Sequence, residues 1–178
     1  MQFEFHEALE ILRRTPAVLS SMLEGLPDSW TRCNEGEGTW GSFDVVGHLN
    51  DGERKDWLER VSIIHEQGEN LNFRTFDRFE HLKRNSNRTL TELLEEFRAL
   101  RMHNIEKLES LITPETDLKL KGIHPAFGEV TLHQLLSTWV VHDLDHISQI
   151  SRVMAKRYQE DVGPWKAYLR ILSEAKRD

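Results

Sequence analysis

Four stretches of the sequence repeat apolar residues at spacings of three and four. This constrains the fold more than any other feature, because such spacing buries one face of an α-helix. The first stretch carries Ala8, Ile11, Leu12, Leu19, Met22, Leu23 and Leu26 and ends at Pro27-Asp28-Ser29. Pro16 interrupts it, and Thr15-Pro16 reads as an N-cap followed by the first helical position, which predicts a kink or two abutting helices. A second helix is predicted from an N-cap at Ser42, with Asp44 in its first turn and Val45, Leu49, Trp57, Val61 and Ile64 along its stripe, to about Gln67, where Gly68 stops it. Thr89 and Glu92 have capping-box spacing and open a third helix, whose buried side is Leu90, Leu93, Leu94, Phe97, Leu108 and Leu111. Thr131 and Gln134 repeat the device before a fourth helix of about 27 residues at 1.5 Å rise each, striped by Leu132, Leu135, Leu136, Trp139, Ile147, Ile150, Val153 and Met154. Gly163-Pro164-Trp165 then opens a short terminal helix with Trp165, Leu169 and Leu172 on one side. Period-two alternation is almost absent. The expectation is therefore an all-α, four-helix bundle formed as one domain over residues 1–178, plus the short C-terminal helix. Long connections at 68–88 and 117–130 argue for non-sequential, crossover links.

The composition narrows what such a bundle can do. At 178 residues the chain can bury a full core without covalent staples. Its net charge of −7, from 23 Lys and Arg against 30 Asp and Glu, offers no electrostatic footprint for a phosphate backbone, so no nucleic-acid partner is expected. No apolar run reaches the ~20 residues of a membrane helix, and the start Met1-Gln2-Phe3-Glu4 shows no secretory signal. The single cysteine, Cys33, cannot form an internal disulfide and reads as a half-buried thiol, which fits a cytoplasmic protein.

Nine histidines remain to be sorted. His6, His65, His81, His103 and His133 have no ligand-like partner at helical spacing and read as ordinary surface or half-buried residues. His142 and His146 differ: four apart in the predicted fourth helix, they point the same way, and both fall on the apolar stripe between Trp139 and Ile150. Two imidazoles among core positions need their nitrogens satisfied, and one metal ion would satisfy both. His48 lies on the inward side of the second helix, with Gly52 one turn on leaving room. Together the three give a site with three protein ligands and an open position, the arrangement of catalytic rather than structural zinc. Asp51 and Gln149, each about one turn from a histidine, are candidates to support the site or fill the fourth position. Asp145 is placed to orient His142, whereas Asp143 is expected to face solvent or a partner. The run His142-Asp143-Leu144-Asp145-His146 also invites a metalloprotease reading, with Glu160, Asp161 or Glu174 as a downstream carboxylate. The short Asp in the base position and the lack of a substrate-aligning strand count against it.

These residues sit in longer matching runs. Thr39-Trp40, Phe43-Asp44-Val45-Val46-Gly47-His48-Leu49 and Gly52-Glu53 form one cluster. His124-Pro125-Ala126-Phe127-Gly128, Val130-Thr131-Leu132, Gln134-Leu135-Leu136, Trp139 to Leu144, His146-Ile147 and Gln149-Ile150 form the other. Over nearly its whole length the chain resembles the DinB-like, or YfiT-like, metalloprotein superfamily. The resemblance implies a four-helix bundle with non-sequential connections, usually a homodimer, whose metal ligands match His48, His142 and His146 and whose ion is typically zinc or nickel. It further implies either a thiol-dependent S-transferase using a low-molecular-weight thiol as co-substrate or a metal-dependent hydrolase acting on a small molecule. A non-enzymatic metal or small-ligand binding bundle is the alternative. Phe73, Phe76, Phe79 and His124, in the two long connections, are expected at the pocket rim.

Overall fold

The computed structural model describes residues 3–172, so Met1, Gln2 and the carboxylate Glu174 lie outside the described residues. Four long helical elements form the bundle: α1 (Phe5–Leu23), the pair α3 (Ser42–Lys55) and α4 (Trp57–Glu66), α6 (Leu90–Leu111) and α7 (Leu132–Lys156). Two short helices, α2 (Asp28–Thr31) and α5 (Glu80–Arg84), lie in the connections. Both α1 and α3 pack on α6 and α7. The chain thus crosses the bundle between α1 and α3, and again between α6 and α7; the 117–130 link is a crossover as expected, whereas the 68–88 link joins the neighbouring elements α4 and α6. Among the described residues no helix is long and apolar enough to cross a membrane.

Both predicted capping boxes form. Thr89 Oγ1 accepts from the Glu92 amide at 3.3 Å while the Glu92 carboxylate accepts from the Thr89 amide at 2.7 Å. At α7, the Gln134 amide donates to Thr131 Oγ1 at 3.2 Å and the Thr131 amide to the Gln134 side-chain oxygen at 2.8 Å. The second helix differs from expectation at three points. Its cap is Gly41, whose N–H donates to the Asp44 carboxylate at 3.0 Å, one residue before the expected Ser42. It breaks at Asp56 (φ −120°, ψ −72°), and the break turns Trp57 inward to stack on Trp139 at 5.6 Å and 9°. Gly52 makes that possible, since a Cβ there would stand 3.0 Å from Trp57 Nε1; the glycine makes room for an indole rather than for an ion.

Sequence periodicity also missed a β-hairpin, β1 (Lys121–His124) and β2 (Gly128–Thr131), too short for alternation to register. The terminal segment folds as 3-10 turns, Gly163–Tyr168 and Arg170–Leu172, in which Leu172 is buried but Trp165 and Leu169 are exposed.

The buried residues form two apolar clusters. One gathers Leu9, Leu12, Val61, Ile64, Ile105, Leu108 and Trp139; the other gathers Leu19, Leu23, Val45, Leu49, Leu93, Phe97 and Ile150. Each fully buried aliphatic or aromatic side chain contributes about 1.5–3 kcal/mol relative to exposure. A polar layer runs between the two clusters. Arg101 of α6, with no exposed surface, donates to Asp143 of α7 through both terminal nitrogens, at 2.5 and 2.9 Å, and to Glu53 of α3 at 2.7 Å. Asn104 and the Trp139 indole donate to the same glutamate at 2.9 and 3.2 Å. Asp143 therefore faces the core, not solvent as expected: its charge is matched by a buried guanidinium that α7 alone does not reveal.

The same arginine explains Pro16. Helix α1 runs through the proline, which has no N–H to offer the carbonyl of Leu12. Arg101 supplies the missing donor, at 2.9 Å from that oxygen. Burial alone would push the Arg101 pKa down, but Glu53 and Asp143 outweigh it and push it up, so the group stays charged.

Arg101→Met should therefore strand two buried carboxylates and lower the free energy of unfolding by about 3–5 kcal/mol in urea titrations, whereas a loss below about 1 kcal/mol would contradict this role. Asp56 yields a pH prediction. Its carboxyl is pushed up to about 6, chiefly by burial and against the pull of Arg60. An acid raised on folding contributes stability that is full below its ordinary value near 3.8 and is lost as pH rises through about 6. Asp56→Asn should consequently match wild type near pH 4 and gain about 1–3 kcal/mol on it by pH 7.5. A difference that does not change with pH would refute the assignment.

Candidate functional site

Helix α3 presents His48, and α7 presents His142 and His146 one turn apart on the same side. His142 Nε2 lies 3.3 Å from His48 Nε2 and 3.1 Å from His146 Nε2, and the three donor atoms all fall within 4.8 Å of one another. A tetrahedral ion with bonds of 2.0–2.1 Å sets its nitrogens about 3.3–3.4 Å apart, so these separations match that geometry. The outer nitrogen of His146, Nδ1, lies 2.8 Å from the Gln149 side-chain oxygen. An amide oxygen only accepts, so Nδ1 carries the proton and Nε2 is left as a lone pair pointing into the cluster. Among the described residues, Nδ1 of His142 is buried without a hydrogen-bond partner.

All three rings are held neutral. Burial, followed by the neighbouring His146, pushes His48 down to about 3; burial and the other two histidines push His142 down to about 2. His146 is lowered by burial against the opposing pull of Gln149 and Asp145. Neutral imidazoles whose Nε2 atoms converge on one point could hold a metal ion.

Aromatic rings wall the cluster. Trp40 lies 4.9 Å and Phe76 5.6 Å from His48, and Trp57 lies 5.0 Å from His142. His81, expected to be a surface or half-buried residue, is instead 1% exposed and packs its ring 5.7 Å from His48 and 4.8 Å from Trp40. Gly47 allows this approach, because a Cβ there would meet the Asn85 side chain at 2.5 Å and the His81 ring at 3.2 Å. The other discounted histidines stay at the periphery: His6, His103 and His133 are exposed and His65 is half-buried.

A cavity of about 540 Å³ opens beside His146, lined by Trp40, Arg78, Phe79, Asp145, Gln149, Arg152 and by Glu35, Gly38 and Thr39. Its rim differs in part from expectation. Phe79 lines it and Phe76 touches His48, but Phe73 is core and His124 stacks on Phe127 at the hairpin tip. The segment around Glu35–Trp40 forms the opposite wall.

Gln149 supports a histidine as its spacing suggested, whereas Asp51 does not reach the cluster. Its buried carboxylate instead accepts from Arg54 at 3.1 Å and from Arg84, with Lys55 at 3.4 Å. Asp145 is exposed on the cavity wall, and His142 Nδ1 has no hydrogen-bond partner among the described residues.

Residues 11–150 match the DinB superfamily. The chain belongs to that superfamily. Among solved structures, this DinB protein is similar to YfiT from Bacillus subtilis, with a TM-score of 0.72 and 22% identity over 85% of this chain and 86% of that one. YfiT is described as "a probable metal-dependent hydrolase with an unusual four-helix bundle topology". No curated protein matches the sequence. The DinB bundle also accounts for Asp51: through Arg84 and Lys55, and through the Lys55–Glu80 pair, it fastens α5 and the segment before it against α3, next to His48.

Asp51→Ala should release that strap. Trypsin is expected to cut at Arg74, Arg78, Lys83 or Arg84 several times faster than in wild type, with helical circular dichroism unchanged. Equal cleavage rates would show that the ion cluster does not hold the strap.

Proposed function

We propose that this DinB protein is a metal-dependent enzyme whose divalent ion is held by His48, His142 and His146, with a fourth position open toward the cavity. The observation that carries the reading is the meeting of three neutral imidazole nitrogens, from two helices, at the spacing a tetrahedral ion imposes. Three nitrogen donors without thiolate suit zinc or nickel. Neither sequence candidate closes the shell: Asp51 is committed to Arg54 and Arg84, and the oxygen of Gln149 to His146. That openness favours catalysis over a purely binding role.

The bound ion would supply Lewis acidity, lowering the pKa of a water or a low-molecular-weight thiol placed at the open position. Gln149 fixes the tautomer and orientation of His146. Trp40, Phe76 and Trp57 shield the rings from bulk water on their other sides. The cavity admits a small-molecule substrate, its volume lying within the roughly 300–1,000 Å³ usual for such sites. Water as nucleophile gives a hydrolase, and a thiol gives an S-transferase; dependence of turnover on added thiol separates them. We further propose that the protein acts in the cytoplasm as a homodimer, a reading supported by its family resemblance and its single cysteine.

Elemental analysis of protein purified without chelator or nickel resin is expected to find about one equivalent of metal per chain, at least tenfold less in His142→Ala, and about 10–100-fold weaker retention in Gln149→Leu. Wild-type protein that neither contains metal nor takes it up on titration would overturn the proposal, provided that helicity is intact.

A further inference from the structure

We infer that Arg78 is the anchor for an oxyanion, a carboxylate or phosphate group, on the substrate that enters the cavity beside His146. The inference rests on the proposed metal site and adds to it the class of molecule the site takes.

The cavity holds four charged side chains. Arg152 is already spent: it grips Glu35 through two nitrogens, each 2.8 Å from a carboxylate oxygen. Asp145, exposed on the wall, is an acid that would discourage an anion placed against α7. Arg78 is the remaining cation, and it stands on the other wall, before α5. Among the described residues no carboxylate is paired with it; its guanidinium lies over Trp40 at 5.4 Å and over Phe79 at 5.2 Å from the ring centres. Contact with two rings set at 82° to one another confines the guanidinium and leaves N–H donors for a ligand, which suits charge-assisted recognition of an oxyanion. One of these rings is also site wall, since Trp40 packs 4.9 Å from the His48 ring.

Charge balance supports the assignment. Of the cavity's charged lining, Arg152 is matched by Glu35 and Arg78 by Asp145, so a divalent ion would add a positive excess there. A substrate carrying an oxyanion at one end and its reacting group at the other would meet Arg78 and the open position together.

Arg78 is exposed at the rim, so its replacement should leave the fold intact. Calorimetric titration of wild type and Arg78→Gln with succinate, inorganic phosphate and the neutral succinamide tests the idea, in zinc-loaded protein of measured stoichiometry and in chelator-treated protein. Wild type should bind succinate or phosphate more tightly than succinamide, and Arg78→Gln should weaken anion binding at least about tenfold while leaving succinamide unchanged. Whichever anion binds more tightly identifies the oxyanion. Anion binding unaffected by Arg78→Gln, or no saturable binding of either anion, overturns the inference. Protein that takes up no zinc but loses succinate binding in Arg78→Gln would sink the metal reading and leave the anchor standing. Full zinc uptake with equal anion binding in both proteins would do the reverse.

Discussion

The buried contact of Arg101 with Asp143, Glu53 and the carbonyl of Leu12 ties all four arms of the bundle to one guanidinium. It sets how α3, α6 and α7 stand relative to one another at the level of the histidines. Asp143 follows His142 in sequence, and Glu53 lies five residues beyond His48. Pulling these two carboxylates to one point draws α3 and α7 to the distance at which His48 and His142 bring their Nε2 atoms to 3.3 Å. A layer of ionised groups between two apolar clusters is costly to bury, and replacing it with well-packed hydrophobic residues is often neutral or stabilising. What the layer adds here is register: only one alignment of the helices pairs every charge.

The site follows from that frame. Buried rings remain neutral, and neutral rings are what a metal ion requires. The walls come from connections rather than from the bundle: the strap pinned by Asp51 and Arg84 supplies Phe76, Arg78, Phe79 and His81, and the segment after α2 supplies Glu35 and Trp40. A rigid bundle thus carries the donor atoms, while loops on one side shape what can reach them.

Much of this was legible in the sequence, for physical reasons. Amphipathic periodicity and the Thr-x-x-Glu and Thr-x-x-Gln boxes depend only on near neighbours, and the helices they marked are present. The His142/His146 pair was legible because an i, i+4 spacing fixes its own geometry. His48 joined them through its place on an inward face together with the family resemblance. What stayed hidden needed distant partners. Asp143 fits the buried stripe 139–143–146–150 as well as His142 does, but a buried carboxylate makes sense only once Arg101, 42 residues away, is known to meet it. Gly52 looked like space for a ligand because the turn of Trp57 was not visible. Asp51 lay at the right helical spacing, yet three cations from other turns and another helix claimed it. His81 has no histidine at helical spacing, and its burial beside His48 depends on the small Gly47 and on the folding-back of α5.

X-ray absorption spectroscopy of the zinc-loaded protein tests the central claim most directly, because it reads the ligand set without reference to a reaction. Three imidazole nitrogens at about 2.0–2.1 Å with one further light atom are expected, and His48→Ala should remove one imidazole from the shell. An oxygen-dominated six-coordinate shell, or a spectrum unchanged in His48→Ala, would show that the three rings do not share an ion.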